Sequence, residues 1–158
     1  MKQRISNAQK IYKEGVRLLE DAGVEEAGLD AWHLLEHVSG ITRAAYYAHQ
    51  DLELDVEQEE AYFAYVRRRA RRIPLQHITG EQEFMGYPFY VNGHVLIPRQ
   101  DTELLVEEAL GMLASGMRVL DMCTGSGCIL ISLLKAGRER RHIAGLYGTG
   151  TDISQEAL

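Results

Sequence analysis

The residues best equipped for chemistry lie in one run, Val119-Leu120-Asp121-Met122-Cys123-Thr124-Gly125-Ser126-Gly127-Cys128-Ile129-Leu130. An apolar strand ends in an acid, a glycine-rich bend follows, and an apolar helix begins. Glycine at 125 and 127 removes the Cβ atoms that would hold a ligand off the backbone, and the helix start offers unpaired N–H donors. A dinucleotide fingerprint, G-x-G-x-x-G, would need glycine where Leu130 stands, and a phosphate-binding P-loop would need Gly-Lys where no lysine occurs before Lys135. What remains is Asp121 directly before the glycines and a second acid, Asp152, ending the next strand. That pattern suits a ligand with an amino-acid moiety near the loop and a ribose whose hydroxyls one carboxylate accepts together. S-adenosylmethionine is such a ligand, and its sulfonium asks for no anion-binding cluster. A plain strand-to-helix turn would carry the same glycines, so the GxG alone leaves both readings open.

The elements that must position this loop follow from periodicity. Ala8, Ile11, Val16, Leu18, Leu19 and Ala22 recur at helical spacing from Ser6 to Ala22, with Gly23 as the stop. A second helix is expected from an N-cap at Asp30 through Val38, ended by Gly40, and Thr42 caps a short third through Tyr46 and Tyr47. Asp55 to Arg72 reads as a longer helix, acidic at its start and basic at its end, as the helix dipole favours. Residues 1–72 are thus expected to form a small helical bundle, with Tyr46, Tyr47, Tyr62, Phe63 and Tyr65 in its core.

Ile73-Pro74 stops the helix, because proline cannot donate to the ladder and pushes its predecessor into extended backbone. Between Leu75 and Ile97, strand-favouring Phe84, Phe89, Tyr90, Val91, Val95, Leu96 and Ile97 alternate with turn signals at Met85 to Pro88 and Asn92-Gly93. We therefore expect a β-hairpin linker over 73–98. A helix from Asp101 to Leu113, a strand from Met117 to Met122, the glycine turn, a helix from Cys128 to Lys135 and a glycine-weakened strand ending at Asp152 then read as the opening of a doubly wound α/β domain over 99–158.

Composition narrows the class. The 158 residues are 46% hydrophobic and 25% charged with a net charge of -6, which describes a globular protein without a broad basic face for nucleic acid. Two cysteines make no disulfide framework or zinc site, the basic start with Lys2, Arg4, Lys10 and Lys13 lacks the apolar core of a secretory signal, and no stretch is long and apolar enough to span a membrane. The expected place is the reducing cytoplasm.

Arg72-Ile73-Pro74-Leu75-Gln76-His77-Ile78-Thr79-Gly80, Glu83-Phe84-Met85-Gly86, Val95-Leu96-Ile97-Pro98-Arg99-Gln100-Asp101-Thr102-Glu103, the Asp121 to Gly127 turn, and Asp152-Ile153-Ser154 with Glu156-Ala157-Leu158 resemble the HemK/PrmC family. These are the protein-(glutamine-N5) methyltransferases of peptide chain release factors. The resemblance is continuous from about Arg72 to Leu158 and looser over the bundle. It implies a class I, Rossmann-like methyltransferase domain that transfers a methyl group from S-adenosylmethionine, without a metal, to the glutamine amide of the release factors' Gly-Gly-Gln motif. It also implies a donor site formed by Asp121, Cys123, Thr124, Gly125, Ser126, Gly127 and Asp152, with Phe84, Pro98, Arg99, Thr102 and Glu103 lining the cosubstrate and glutamine pocket. The partner would be a release factor recognised by the bundle, with no membrane and no direct nucleic-acid contact.

Three departures accompany the resemblance. The family's Asn-Pro-Pro-Tyr amide clamp does not occur in these 158 residues, so the sequence reads as a truncated chain or gene fragment, inactive alone. Cys123 stands where the family usually has glycine, which suggests a negative φ or room for a small side chain. Gln100 replaces the second proline of Pro-Arg-Pro. The enzymatic alternative is an adenine amino methyltransferase for DNA, disfavoured by the acidic charge; the other alternative is a binding module in which only the bundle matters. Arg67, Arg68, Arg69, Arg71 and Arg72 read either as a contact for an acidic surface or RNA or as a solvated helix end, and His33 with His37 as a surface or half-buried helix face rather than metal ligands.

Overall fold

The computed structural model describes residues 6–49 and 51–157 and divides the chain into two compact units between Thr79 and Gly80. The sequence reading set its breaks after Arg72 and Pro98. Lys2 and Arg4 of the basic start, and Leu158 of the last matching segment, lie outside the described residues.

The first unit opens with β1 (Ser6–Asn7), which leads into α1 (Ala8–Asp21). The Asn7 carboxamide accepts the N–H groups of Gln9 and Lys10, so the cap lies one residue inside the expected start. Next come α2 (Ala27–Ser39), α3 (Arg43–Ala48) and β2 (Glu53–Leu54), which pairs antiparallel with β1, and then α4 (Val56–Ala70). α2 begins three residues before the predicted cap, as its range shows. The reason is that the Asp30 carboxylate is not free to cap: it accepts Arg69 Nε at 2.6 Å across the bundle. Thr42 and Asp55 do cap α3 and α4, the latter through a reciprocal capping box with Gln58.

The core of this unit joins Ile11, Leu19, Trp32, Leu34, Leu35, Tyr62 and Val66. Tyr47, expected among them, is 77% exposed, because its neighbour Tyr46 takes the inward position. A further helix, α5 (Leu75–Thr79), occupies the start of the stretch expected to be hairpin linker. Pro74 belongs to its start, where the missing N–H is harmless and the fixed φ suits the first turn.

In the second unit β3 (Glu81–Phe84) and β4 (Tyr87–Tyr90) form the expected hairpin. Met85 and Gly86 both have positive φ (56° and 76°), as a two-residue type I′ connection requires. Residues Val91 to Ile97, strand-favouring in composition, form no strand; the Asn92 side chain accepts His94 N–H and turns the chain there. Then follow α6 (Asp101–Met112), β5 (Arg118–Met122), α7 (Cys128–Glu139), β6 (Tyr147–Thr151) and a short 3-10 turn at Gln155–Ala157. α7 runs a turn further than expected. The hairpin shares one apolar cluster with the helices, Phe84, Met85 and Phe89 packing with Val106, Leu110, Cys128, Leu133 and Ala136.

β5 and β6 are parallel and connected through α7, a βαβ unit. Their pleat sends Val119, Asp121, Gly148 and Gly150 to one side and Arg118, Leu120, Met122, Tyr147, Thr149 and Thr151 to the other. α7 packs on the first side, and the glycines of β6 become intelligible there: a Cβ on Gly148 would stand 2.5 Å from Leu134 Cδ1, and one on Gly150 would stand 3.0 Å from the Thr124 side chain.

Candidate functional site

The register of the parallel pair places Asp121 opposite Gly150 and Met122 opposite Thr151, so both strands deliver their C-terminal acids to one end of the sheet. The crevice outside the carboxyl ends of parallel strands is where α/β folds bind ligands. Thr124 N–H donates to Thr151 O (2.9 Å), its hydroxyl donates to Asp121 Oδ2 (2.7 Å), and Gly125 N–H donates to Asp152 Oδ2 (2.8 Å). The two acids singled out from the sequence thus hold one loop between them.

Asp152 also accepts Ser154 N–H through Oδ1 (3.0 Å). Its carboxyl lies below the usual aspartate range, first because of Ser154 N–H and then because of Gly125 N–H, both of which bind the charged form. A carboxylate has about four lone-pair sites. Ile153 N–H is a third, weaker donor to the Asp152 carboxylate, which still leaves acceptor capacity for a further donor.

The loop is left-handed where its glycines foretell and at one residue they do not. Gly125 and Gly127 have φ of 53° and 74°, but Cys123 is also left-handed at 62°. Of the two expectations for this cysteine, negative φ is overturned; the other fits, since the side chain is exposed. Among the described residues a Cβ built on Gly125 meets nothing within 4 Å, which leaves the backbone open to a ligand, whereas at Gly127 it would stand 2.9 Å from Ile131 Cδ1. Gly127 therefore serves packing as well as backbone conformation. Cys128 faces the apolar cluster, and burial pushes its thiol up.

A cavity of about 540 Å³ adjoins the loop at Ser126. Its walls are Tyr87, Tyr90 and Asn92 of the hairpin region, Ile131 and Lys135 of α7, and Glu156. The Lys135 ammonium sits over the Tyr87 ring, 4.1 Å from its centroid, and the Tyr87 hydroxyl donates to Glu139 at 2.7 Å, which raises the phenol above its ordinary value. Sequence reasoning passed over these residues; the stripe Ile131, Lys135, Glu139 at i, i+4, i+8 was the available signal. Of the residues proposed earlier only Ser126 lines the cavity. Phe84 is buried in the apolar cluster, Pro98 is buried, Arg99 is exposed, Thr102 donates its backbone N–H to Arg99 O, and Glu103 accepts Met85 N–H.

In the helical unit, Arg69 holds Asp30 and Ile73 O, Arg68 donates to His77 O, and Arg72 donates to Ala22 O and Gly23 O. His33 and His37 are exposed, and among the described residues no three His, Cys, Asp or Glu converge on a metal position. No helix among the described residues is long and apolar enough to cross a membrane.

A helical domain followed by an α/β unit with a glycine loop between two strand-end carboxylates defines the class. Residues 10–80 match the family described as the PrmC N-terminal domain. The chain is 46% identical over 117 residues to a release factor glutamine methyltransferase of Geobacter sulfurreducens, covering 74% of the chain and 41% of that protein. It is 35% identical over 163 positions to the same enzyme of Chlorobaculum tepidum (99% and 53% covered) and 39% identical over 142 to that of Caulobacter vibrioides (89% and 47%). The chain belongs to the HemK/PrmC family and spans about half the length of the curated relatives it matches.

Proposed function

We propose that this chain carries the donor loop and the substrate-recognition domain of a class I methyltransferase acting on release factors. Transfer would run from the S-adenosylmethionine sulfonium to the side-chain amide nitrogen of the glutamine in Gly-Gly-Gln. The C–N bond forms as the C–S bond breaks, S-adenosylhomocysteine leaves, and the nitrogen loses a proton. An amide nitrogen is a poor nucleophile because its lone pair is conjugated with the carbonyl, so in-line positioning and preorganised dipoles must supply the acceleration. In this reading Asp152 accepts the ribose hydroxyls, the 125–127 backbone faces the amino-acid moiety, and the bundle recognises the release factor in the cytoplasm.

The observation that carries the reading is the bond from Gly125 N–H to Asp152, which sets an open glycine backbone beside a carboxylate with acceptor capacity left. Calorimetry of the 158-residue chain with S-adenosylmethionine is the test. Binding that Asp152→Ala weakens about tenfold or more, roughly one charge-assisted hydrogen bond, supports it; absence of heat in the folded wild-type chain overturns it. With a release factor and labelled donor, the chain alone is expected to give no turnover, because no Asn-Pro-Pro-Tyr clamp occurs in it.

A further inference from the structure

The cavity beside Ser126 depends on where the hairpin sits, and the turn of that hairpin is gripped at Met85. Met85 N–H donates to Glu103 Oε1 of α6 at 2.6 Å, and Met85 O accepts Arg140 Nη2, just beyond α7, at 3.3 Å. Arg140 is itself paired with Glu107 of α6 at 3.2 Å. In a two-residue hairpin connection the central residues have no partner in the ladder, yet Met85 is buried and left-handed. Without these side chains a buried N–H would be orphaned and a non-glycine residue would hold positive φ unsupported.

From this geometry we propose that Glu103 is a positioning residue: with Arg140 it fixes the β3–β4 turn, and so sets the Tyr87–Tyr90 wall of the cavity that meets the donor loop at Ser126. Methyl-donor affinity then depends on a carboxylate assigned to the turn rather than to the ligand. Besides the apolar packing of Phe84 and Phe89, the hairpin meets α7 through Tyr87, whose ring lies under Lys135 and whose hydroxyl donates to Glu139; that hydrogen bond is solvent-exposed and correspondingly weaker. The inference rests on the reading of the loop as the donor site.

Three variants of the full 158-residue chain separate its parts. Glu103→Gln keeps an acceptor at the same reach and loses the charge; Glu103→Asp keeps the charge at the helix start and loses the reach; Glu103→Ala loses both. We expect amide exchange at Met85 and along Tyr87–Tyr90 to quicken about tenfold in the Asp and Ala variants, to stay near wild type in Gln, and to be unchanged in β5. Donor affinity should fall about fivefold or more with Asp and Ala and recover with Gln, the size of one hydrogen bond's worth of order lost. Exchange that is unaltered, or that quickens throughout the second unit, overturns the clamp; equal donor affinity in wild type and Asp variant overturns the positioning role. If wild type binds no donor, the loop assignment falls, while exchange still judges the clamp.

Discussion

Asp152 does two things with one carboxylate. It directly follows β6, and through Gly125 and Ser154 it tethers the loop on which the ligand reading rests. Since those N–H groups favour the charged form, its folded pKa is depressed below the ordinary value of 3.8. The tether is therefore complete above that value and is lost only as pH falls through the lower, folded one. The amide shifts of Gly125 and Ser154 should titrate together below pH 3.8, ahead of global unfolding. A Gly125 amide that moves at higher pH, or stays fixed while Ser154 moves, would break the assigned bond. Sequence alone placed Asp121, Gly125, Gly127 and Asp152 because strand-end acids and loop glycines are local signals. It missed the left-handed Cys123, since a cysteine there is tolerated only where its side chain has room, and room is a property of the fold.

At the scale of elements, the bundle was legible where caps and periodicity agreed, at Thr42 and Asp55, and misread where a side chain served a distant partner, as Asp30 does with Arg69. The contact of α1 with α4 shows another signal that spacing hides. Gly15 lies in mid-helix, where glycine costs about 1 kcal/mol relative to alanine, yet a Cβ there would fall 1.9 Å from Tyr62 Oη and 2.7 Å from its Cζ. Tyr62 is 0% exposed, and its hydroxyl has no hydrogen-bond partner among the described residues and is raised well above the ordinary value by burial. A ring so enclosed cannot yield. Gly15→Ala should therefore destabilise the first unit by about 1–3 kcal/mol net of the propensity gain, read as a lower urea midpoint. Gly28→Ala, also in a helix but with its nearest contact at 3.6 Å, should be neutral or stabilising. If Gly15→Ala stabilises as much as Gly28→Ala, Tyr62 does not pack on α1 as described.

At the scale of the whole molecule, the two units manage their apolar surface differently. The helical unit closes its core among its own elements. The α/β unit covers one face of a parallel pair with α7 and leaves Leu120 60% and Met122 69% exposed on the other, beside Tyr147. Parallel sheets are ordinarily covered on both faces, and an exposed apolar face next to unpaired strand edges favours association. The 158-residue chain should consequently self-associate with rising concentration in sedimentation velocity. Leu120→Lys with Met122→Lys should suppress this while changing the thermal midpoint of unfolding little, because surface replacements away from packing fall within about 0.5 kcal/mol. The contrast with Val119 supplies the control: it points to α7, so Val119→Lys should lower stability and increase association. Were the double lysine variant to unfold instead, or the association to persist in it, the pleat assignment that puts Leu120 and Met122 on the open face would be wrong, and with it the placing of Asp121 on the side of α7.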